Sequence, residues 1–353
     1  MSAKFFIPII FIGSLLVFFI FFRAIDYSGE NIKPVDNSGK ITSKISPPGE
    51  IKTSIFVPYW SFGDSDDNLN NYDRSIYFGI AVDESGIDKN EQGFLNLSGF
   101  NEVAGTNEKL ITVRMTNSDV NQKILADTTL QSVIINDSVS IAKENGFSGL
   151  VLDLEVFSLF NEKIPFQINE FVSDFSRASK QNNLYFAVAV YGDVFYRLRP
   201  YDLKSISGSV GEVMIMAYDF SKSIGEPGPN FPLEGRKKYG YDMKTMIRDF
   251  LEVVPAEKLS VIFGMYGYDW TVDSRGRPIK PGQSLTNNQI QTKYLDICQS
   301  NCKVVKDKLS QEKNIISGDH IVWFEDPESA QKKQEYLQSQ GIGNFIYWAF
   351  GYF

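Results

Sequence analysis

Eight short apolar runs recur along residues 51–353, with helix-like stretches between several of them. They are Ile55–Tyr59, Ser75–Val82, Lys109–Met115, Gly149–Glu155, Leu184–Val190, Glu212–Asp219, Leu259–Met265 and Asn344–Phe350. Runs of this length and apolarity suit strands buried on both faces of a parallel sheet. Residues Thr128–Asn145 carry Leu130, Val133, Ile134, Ile141 and Ala142 at mostly helical spacing and stop at Gly146, a favourable residue just past a helix end. Pro165–Asn182 carries Phe166, Ile168, Phe171, Val172 and Phe175, and Asp242–Val254 carries Met246, Ile247, Phe250 and Leu251. Asp326-Pro327 reads as an N-cap followed by proline at the first helical position, opening a helix over 328–340. Eight β/α units in this span point to a (β/α)8 TIM barrel enlarged by insertions. A doubly wound open sheet is the competing α/β arrangement, and the absence of a glycine-rich phosphate loop after the first run weakens it.

Two segments fall outside the repeat. Phe5–Phe22 is uncharged and bracketed by Lys4 and Arg23. At about 1.5 Å per residue such a run just crosses a hydrocarbon layer. Residues 1–23 are expected to form a transmembrane anchor, with a cleaved signal peptide as the alternative; no A-x-A-like cleavage site follows the run. Residues 24–50, with Pro34, Pro47, Pro48 and several Ser and Gly, are expected to be a flexible linker, leaving 51–353 as the barrel domain. The stretch 271–318 is too long for a βα connection and is expected to be a small insertion between the seventh and eighth strands. Cys298 and Cys302 fall inside it, as a local disulfide or as two free residues on one helix face.

Composition removes several functions. A formal net charge of −8 gives no electrostatic footprint for a nucleic-acid backbone, and no nucleic-acid partner is expected. One histidine and two cysteines cannot build a His- or Cys-rich zinc site, so no metal and no cofactor are expected. His320 reads as a strand-edge residue rather than half of a catalytic pair.

In a barrel, chemistry sits where strands finish. In the fourth run, Leu150, Leu152 and Leu154 share one face by alternation, which turns Val151, Asp153 and Glu155 into the barrel. Two carboxylates entering an apolar barrel mouth are costly unless paired or used. A structural acid pair, satisfied by an arginine or by backbone donors, is the competing reading. In the sixth run the same alternation turns Met214, Met216 and Tyr218 inward and leaves Asp219 at the rim. Trp348 stands near the end of the eighth run. A tyrosine hydroxyl, convergent carboxylates and a tryptophan face suit a sugar, whose rings stack on aromatics and whose hydroxyls need acceptors.

These motifs resemble glycoside hydrolase family 18, the chitinase-like barrels, and within it the bacterial branch of spore-cortex and peptidoglycan N-acetylglucosaminidases. The family's fourth-strand signature D-G-x-D-x-D-x-E aligns with Ser148-Gly149-Leu150-Val151-Leu152-Asp153-Leu154-Glu155. Its sixth-strand M-x-Y-D aligns with Met216-Ala217-Tyr218-Asp219. Tyr266-Gly267-Tyr268-Asp269-Trp270 and His320–Asp326 are similar to the segments after strand seven and before the last helix in the cortex-enzyme branch, and Trp348 to the tryptophan beneath the reactive sugar.

The resemblance implies hydrolysis of β-1,4 linkages of N-acetylglucosamine glycans, in peptidoglycan or chitin, with the substrate's 2-acetamido oxygen as nucleophile. Glu155 would be the acid and base. Asp153 would orient the acetamido N–H, and Tyr218 would bond its carbonyl. Asp219, Met216 and Trp348 would bind the sugar, with Tyr59, Trp60, Tyr266 and Trp270 as weaker candidates or rim packing. A monomer at the cell membrane is expected, its catalytic domain outside the cytoplasm. The competing functions are a catalytically silent glycan-binding barrel and an unrelated glycosidase or wall-anchored structural barrel.

Two family acids are missing, replaced by Ser148 and Val151. With Val151 below it, Asp153 has no partner with which to trade a proton, and an apolar neighbour raises its pKa. A slower enzyme with a shifted pH profile is expected. Val151→Asp should raise turnover or move the acid limb of its pH profile; unchanged kinetics would show that the position is irrelevant.

Overall fold

The structure, a computed structural model, describes residues 51–61, 68–104, 108–157, 162–298 and 302–353. Seven parallel strands come first: β1 (Lys52–Pro58), β2 (Arg74–Asp83), β3 (Glu108–Met115), β4 (Gly149–Leu154), β5 (Tyr185–Tyr191), β6 (Glu212–Ala217) and β7 (Leu259–Gly264). A second sheet of five antiparallel strands follows: β8 (Tyr266–Thr271), β9 (Gln283–Thr286), β10 (Cys302–Lys306), β11 (Lys313–Ser317) and β12 (His320–Phe324). The chain then returns to the first sheet as β13 (Asn344–Trp348). β13 pairs in parallel with both β7 and β1, and β1 pairs with β2, so eight strands close on themselves. This is a parallel barrel of the TIM type, and the open doubly wound alternative is excluded.

Closure follows from the strand sequences. Leu150, Leu152 and Leu154 of β4 pack into the layer between strands and helices. Val151 joins Phe56, Ile76, Leu110, Met214 and Ile346 inside the barrel. The barrel's N-terminal end holds charge: Arg74 of β2 donates to both oxygens of Glu212 on β6, at 2.8 and 2.9 Å, and Tyr185 adds a bond at 3.1 Å. The C-terminal end is left for the site.

The helices begin and end where their caps lie. α1 (Thr128–Glu144) starts at Asp127, whose carboxylate accepts from the amides of Thr129 and Leu130, both at 3.0 Å. It stops before Gly146, whose φ of +70° is left-handed. α2 (Ile164–Gln181) and α4 (Met243–Leu251) bury their apolar faces against the strands, and α3 (Leu203–Ser209) is short. α5 (Pro327–Ser339) opens with a reciprocal cap in which Ser329 N–H reaches Asp326 at 2.8 Å and Asp326 N–H reaches Ser329 Oγ at 2.9 Å. Within the insertion Asn287–Ile290 form one short helical turn, widened into a π turn over Gln291–Leu295.

The insertion is larger than 271–318, because β8 and β12 on either side of that stretch pair with one another as part of the second sheet. Its own core is Leu285, Ile290, Tyr294, Ile315, Val322 and Phe324. Cys298 and Cys302 are joined as a disulfide; they are not two residues of one helix face. The expected anchor (1–23) and linker (24–50) lie outside the described residues. Among the described residues no helix is long and apolar enough to cross a membrane.

A buried charge cluster ties the insertion to the barrel. Lys333 of α5, Glu312 before β11 and Glu325 after β12 have fully buried side chains, and the ammonium pairs with both carboxylates. Glu312 also accepts the amides of Asn230 and Phe231, at 2.6 and 2.9 Å. Burial, together with Glu312, pushes the Glu325 carboxyl up to about 7 against the pull of Lys333. Lys333→Met would leave two carboxylates buried without their cation, so it should destabilise the fold by about 3–5 kcal/mol. Chemical denaturation at pH 7 would measure this, and a loss within experimental error would show that the cluster is not needed.

Candidate active site

The C-terminal mouth of the barrel opens into a cavity of about 290 Å³. Asp153, Glu155, Met216, Tyr218, Asp219, Tyr266 and Trp348 all line it, contributed by the ends of β4, β6, β8 and β13 and the segments after them. The segment after β4 is held from behind. Buried Asn121 donates to the carbonyls of Met115 and Glu155, at 2.5 and 2.7 Å. The Tyr201 hydroxyl donates to the Leu154 carbonyl at 2.6 Å and accepts the Val156 amide at 2.8 Å. Glu155 is therefore fixed at its backbone from both sides.

The two acids differ in environment. Asp153 is 5% exposed, and its Oδ1 has no hydrogen-bond partner among the described residues. Loss of water pushes its carboxyl up to about 8, Glu155 adds repulsion, and Arg114 offsets only part. Glu155 is also raised by burial, but it is served: Tyr191 donates to its Oε2 at 2.5 Å, and Arg199 and Lys222 favour its charge. A carboxyl held above its ordinary range keeps a proton that it can give away, as a general acid needs.

The opposite side is aromatic. Trp348 lies 4.7 Å from Phe78 and 6.4 Å from Tyr218 between ring centroids, the latter pair close to parallel, and its peptide bond to Ala349 is cis. Tyr266 is buried and Tyr218 half-buried, and loss of water drives both phenols well above their ordinary range and keeps their hydroxyls protonated as donors. Asp219 has a left-handed φ of +55°, and its amide donates to Asn230 Oδ1 at 2.8 Å. Tyr266 and Tyr268 both donate to Asp219 Oδ1, the second at 2.8 Å. Gly264 permits this crowding, since a Cβ there would stand 2.6 Å from both Tyr218 and Tyr266.

Other expected residues lie elsewhere. Trp60 is 47% exposed on the rim, 6.4 Å from Trp348, and Tyr59 packs against it at 4.8 Å under the Arg114 guanidinium. Neither lines the cavity. Trp270 is fully buried beneath Gly282, with its indole N–H on the Ser223 carbonyl at 3.0 Å, and it does not line the cavity. Ser148 sits at the far end of β4, its hydroxyl on the Lys109 carbonyl at 2.9 Å. Val151 is fully buried inside the barrel. His320 opens β12 and contacts Asp269 at 2.7 Å and Tyr294 at 3.2 Å, in a cluster away from the cavity. No group of three or more His, Cys, Asp or Glu that could hold a metal occurs among the described residues.

Phe78, Phe157, Tyr191, Asp193, Arg199 and Lys222 also line the cavity, and the motifs above do not single them out. Tyr191 had a signal: it continues the inward alternation of Tyr185, Ala187 and Ala189, one residue past the apolar run. The others stand on β2 or in loops whose path no local pattern sets.

Asp153 yields a stability prediction. Its pKa is higher folded than unfolded, so the folded state binds the proton more tightly and stability falls as pH rises from about 4 to about 8. The melting temperature of Asp153→Asn relative to the parent protein should therefore climb across that range and level off above it. A difference independent of pH would refute the assigned protonation.

Comparison with known proteins identifies the family and the fold. The profile of Glycosyl hydrolases family 18 matches residues 61–352. Nod factor hydrolase protein 1 of Medicago truncatula is 26% identical over 256 residues, covering 67% of this chain and 66% of that protein. The cortical fragment-lytic enzyme of Bacillus subtilis is 22% identical over 275 residues, covering 72% and 59%. The chain thus spans less than two thirds of the length of these relatives. A mutant class V chitinase from Nicotiana tobaccum, in complex with NAG4, shares the fold at a TM-score of 0.74 and 15% identity, covering 85% of this chain and 94% of that one.

Proposed function

The chain belongs to glycosyl hydrolases family 18, and we propose that it cleaves β-1,4 bonds of N-acetylglucosamine-containing glycans with the help of the substrate's own acetamido group. One observation carries this reading. Asp153 offers a buried oxygen without a hydrogen-bond partner among the described residues, next to Glu155, whose carboxyl is raised by burial, in a cavity walled by Trp348. An unpaired buried acceptor costs free energy until something donates to it. An acetamido N–H on the sugar is such a donor.

In this mechanism Glu155 gives its proton to the glycosidic oxygen as that bond breaks. The acetamido oxygen attacks the anomeric carbon from the other face, forming an oxazolinium-like intermediate. Tyr218, a permanent donor, steers the acetamido carbonyl, while Asp153 accepts from the acetamido nitrogen. Glu155, now a carboxylate, takes a proton from water, which opens the intermediate with net retention. Asp219, Met216 and Trp348 hold the sugar. The intermediate is cationic, so Asp153 must ionise to stabilise it, and burial beside Val151 makes that costly. Slow turnover with an acid limb displaced towards pH 8 is the consequence.

Membrane tethering by residues 1–23 and a monomeric, extracytoplasmic catalytic domain are part of the same proposal. The Cys298–Cys302 disulfide supports an oxidising compartment.

Chitooligosaccharides and purified peptidoglycan, incubated with the parent protein and with Glu155→Gln, test the reading. The parent should release product, and the variant should bind while hydrolysing about 10²–10⁴-fold more slowly. Binding without product from either protein would favour the silent glycan-binding alternative.

A further inference from the structure

The wall beside Glu155 has more positive charge than the mechanism uses. Phe157 is 50% exposed there. The Arg199 guanidinium lies 4.9 Å from its ring centroid and the Lys222 ammonium 6.0 Å, so both cations flank one apolar face at the cavity. Arg199 is fixed: it stacks on Tyr191 at 3.6 Å and donates to both oxygens of Asp193, at 2.5 and 3.1 Å. Arg197 pairs with the same carboxylate. Two guanidiniums therefore share one anion, and Lys222 makes no ion pair among the described residues, its charge acting only at longer range on Glu155. Of the other acids that line the cavity, Glu155 is engaged by Tyr191 and Asp219 by Tyr266 and Tyr268.

A neutral sugar would offer the Lys222 ammonium hydroxyl acceptors but no counter-charge. A carboxylate would supply a charge-assisted acceptor and balance the excess charge. We propose that Phe157, Arg199 and Lys222 form a carboxylate-binding subsite, which makes the preferred substrate an N-acetylhexosamine strand bearing carboxylates next to the cleaved bond. This rests on the glycosidase reading above and narrows its substrate class. The carboxylate could be carried by an acidic ether on the sugar or by an attached peptide, and both present the same group to Lys222.

The test compares three oligomers of equal length: neutral N-acetylglucosamine oligomers, strands with the sugar carboxylate alone, and strands with peptide as well. kcat/KM is measured for the parent protein, Lys222→Met and Lys222→Arg. The parent should prefer a carboxylate-bearing strand, and the preference should shrink at high salt. Lys222→Met should lower the acidic-to-neutral ratio about tenfold, chiefly through KM, and Lys222→Arg should restore most of it. Preference for the peptide-free acidic strand assigns the sugar carboxylate, and preference only for the peptide-bearing strand assigns the peptide. Equal rates on all three strands, or an equal change for acidic and neutral strands in Lys222→Met, would overturn the subsite. Absence of product from every strand would instead refute the glycosidase reading. The affinities of Glu155→Gln, with and without Lys222→Met, for acidic and neutral strands then decide the subsite alone.

Discussion

Everything at the mouth of this protein depends on barrel closure, which leaves each strand residue one of two surroundings. Because β13 pairs with β1 as well as β7, none of the eight barrel strands has a free edge. The side-chain period of two then becomes a strict division between the helix layer and the interior. On β4 that division puts three leucines on one side and Val151 with Asp153 on the other. A carboxylate would not otherwise sit in such a place. It is held there because the leucines and the helices they meet bury far more apolar surface than one acid costs.

A second constraint runs through charge rather than apolar packing. Lys333, Glu312 and Glu325 form a dry cluster where α5, the insertion and the loop after β6 meet. Glu312 grips the Asn230 amide, Asn230 accepts the Asp219 amide, and Asn230 also donates to the Gly264 carbonyl at 2.8 Å. A buried cluster that does not itself line the cavity thus helps set the backbone of an acid that does. This gives the insertion a role in the site, since Tyr266 and Tyr268 of β8 complete the bonding of Asp219.

The site itself is asymmetric. On one side an aspartate is starved of partners, and on the other a glutamate is served by a tyrosine and by positive charge. Pairs of acids whose surroundings differ in this way divide roles, one handling the moving proton and the other answering charge on the substrate.

Much of this was legible in the chain. The eight apolar runs, the Asp127 and Asp326 caps and the inward turn of Asp153 follow from periods of 2 and 3.6 and from hydrogen-bonding rules that act over a few residues. Met216, Tyr218, Asp219 and Trp348 stood out because strand ends in a barrel share one face. The burial of Trp270, the reach of Tyr191 to Glu155 and the gathering of Arg199 and Lys222 around Phe157 did not. Neither did the full extent of the insertion or the bond between Cys298 and Cys302. Local pattern determined which residues face inward and where elements stop, because those choices are made within one or two turns of chain. Only the tertiary structure decided which distant loops meet at the mouth and which aromatics are covered, because those contacts are set by closure and packing between segments tens of residues apart.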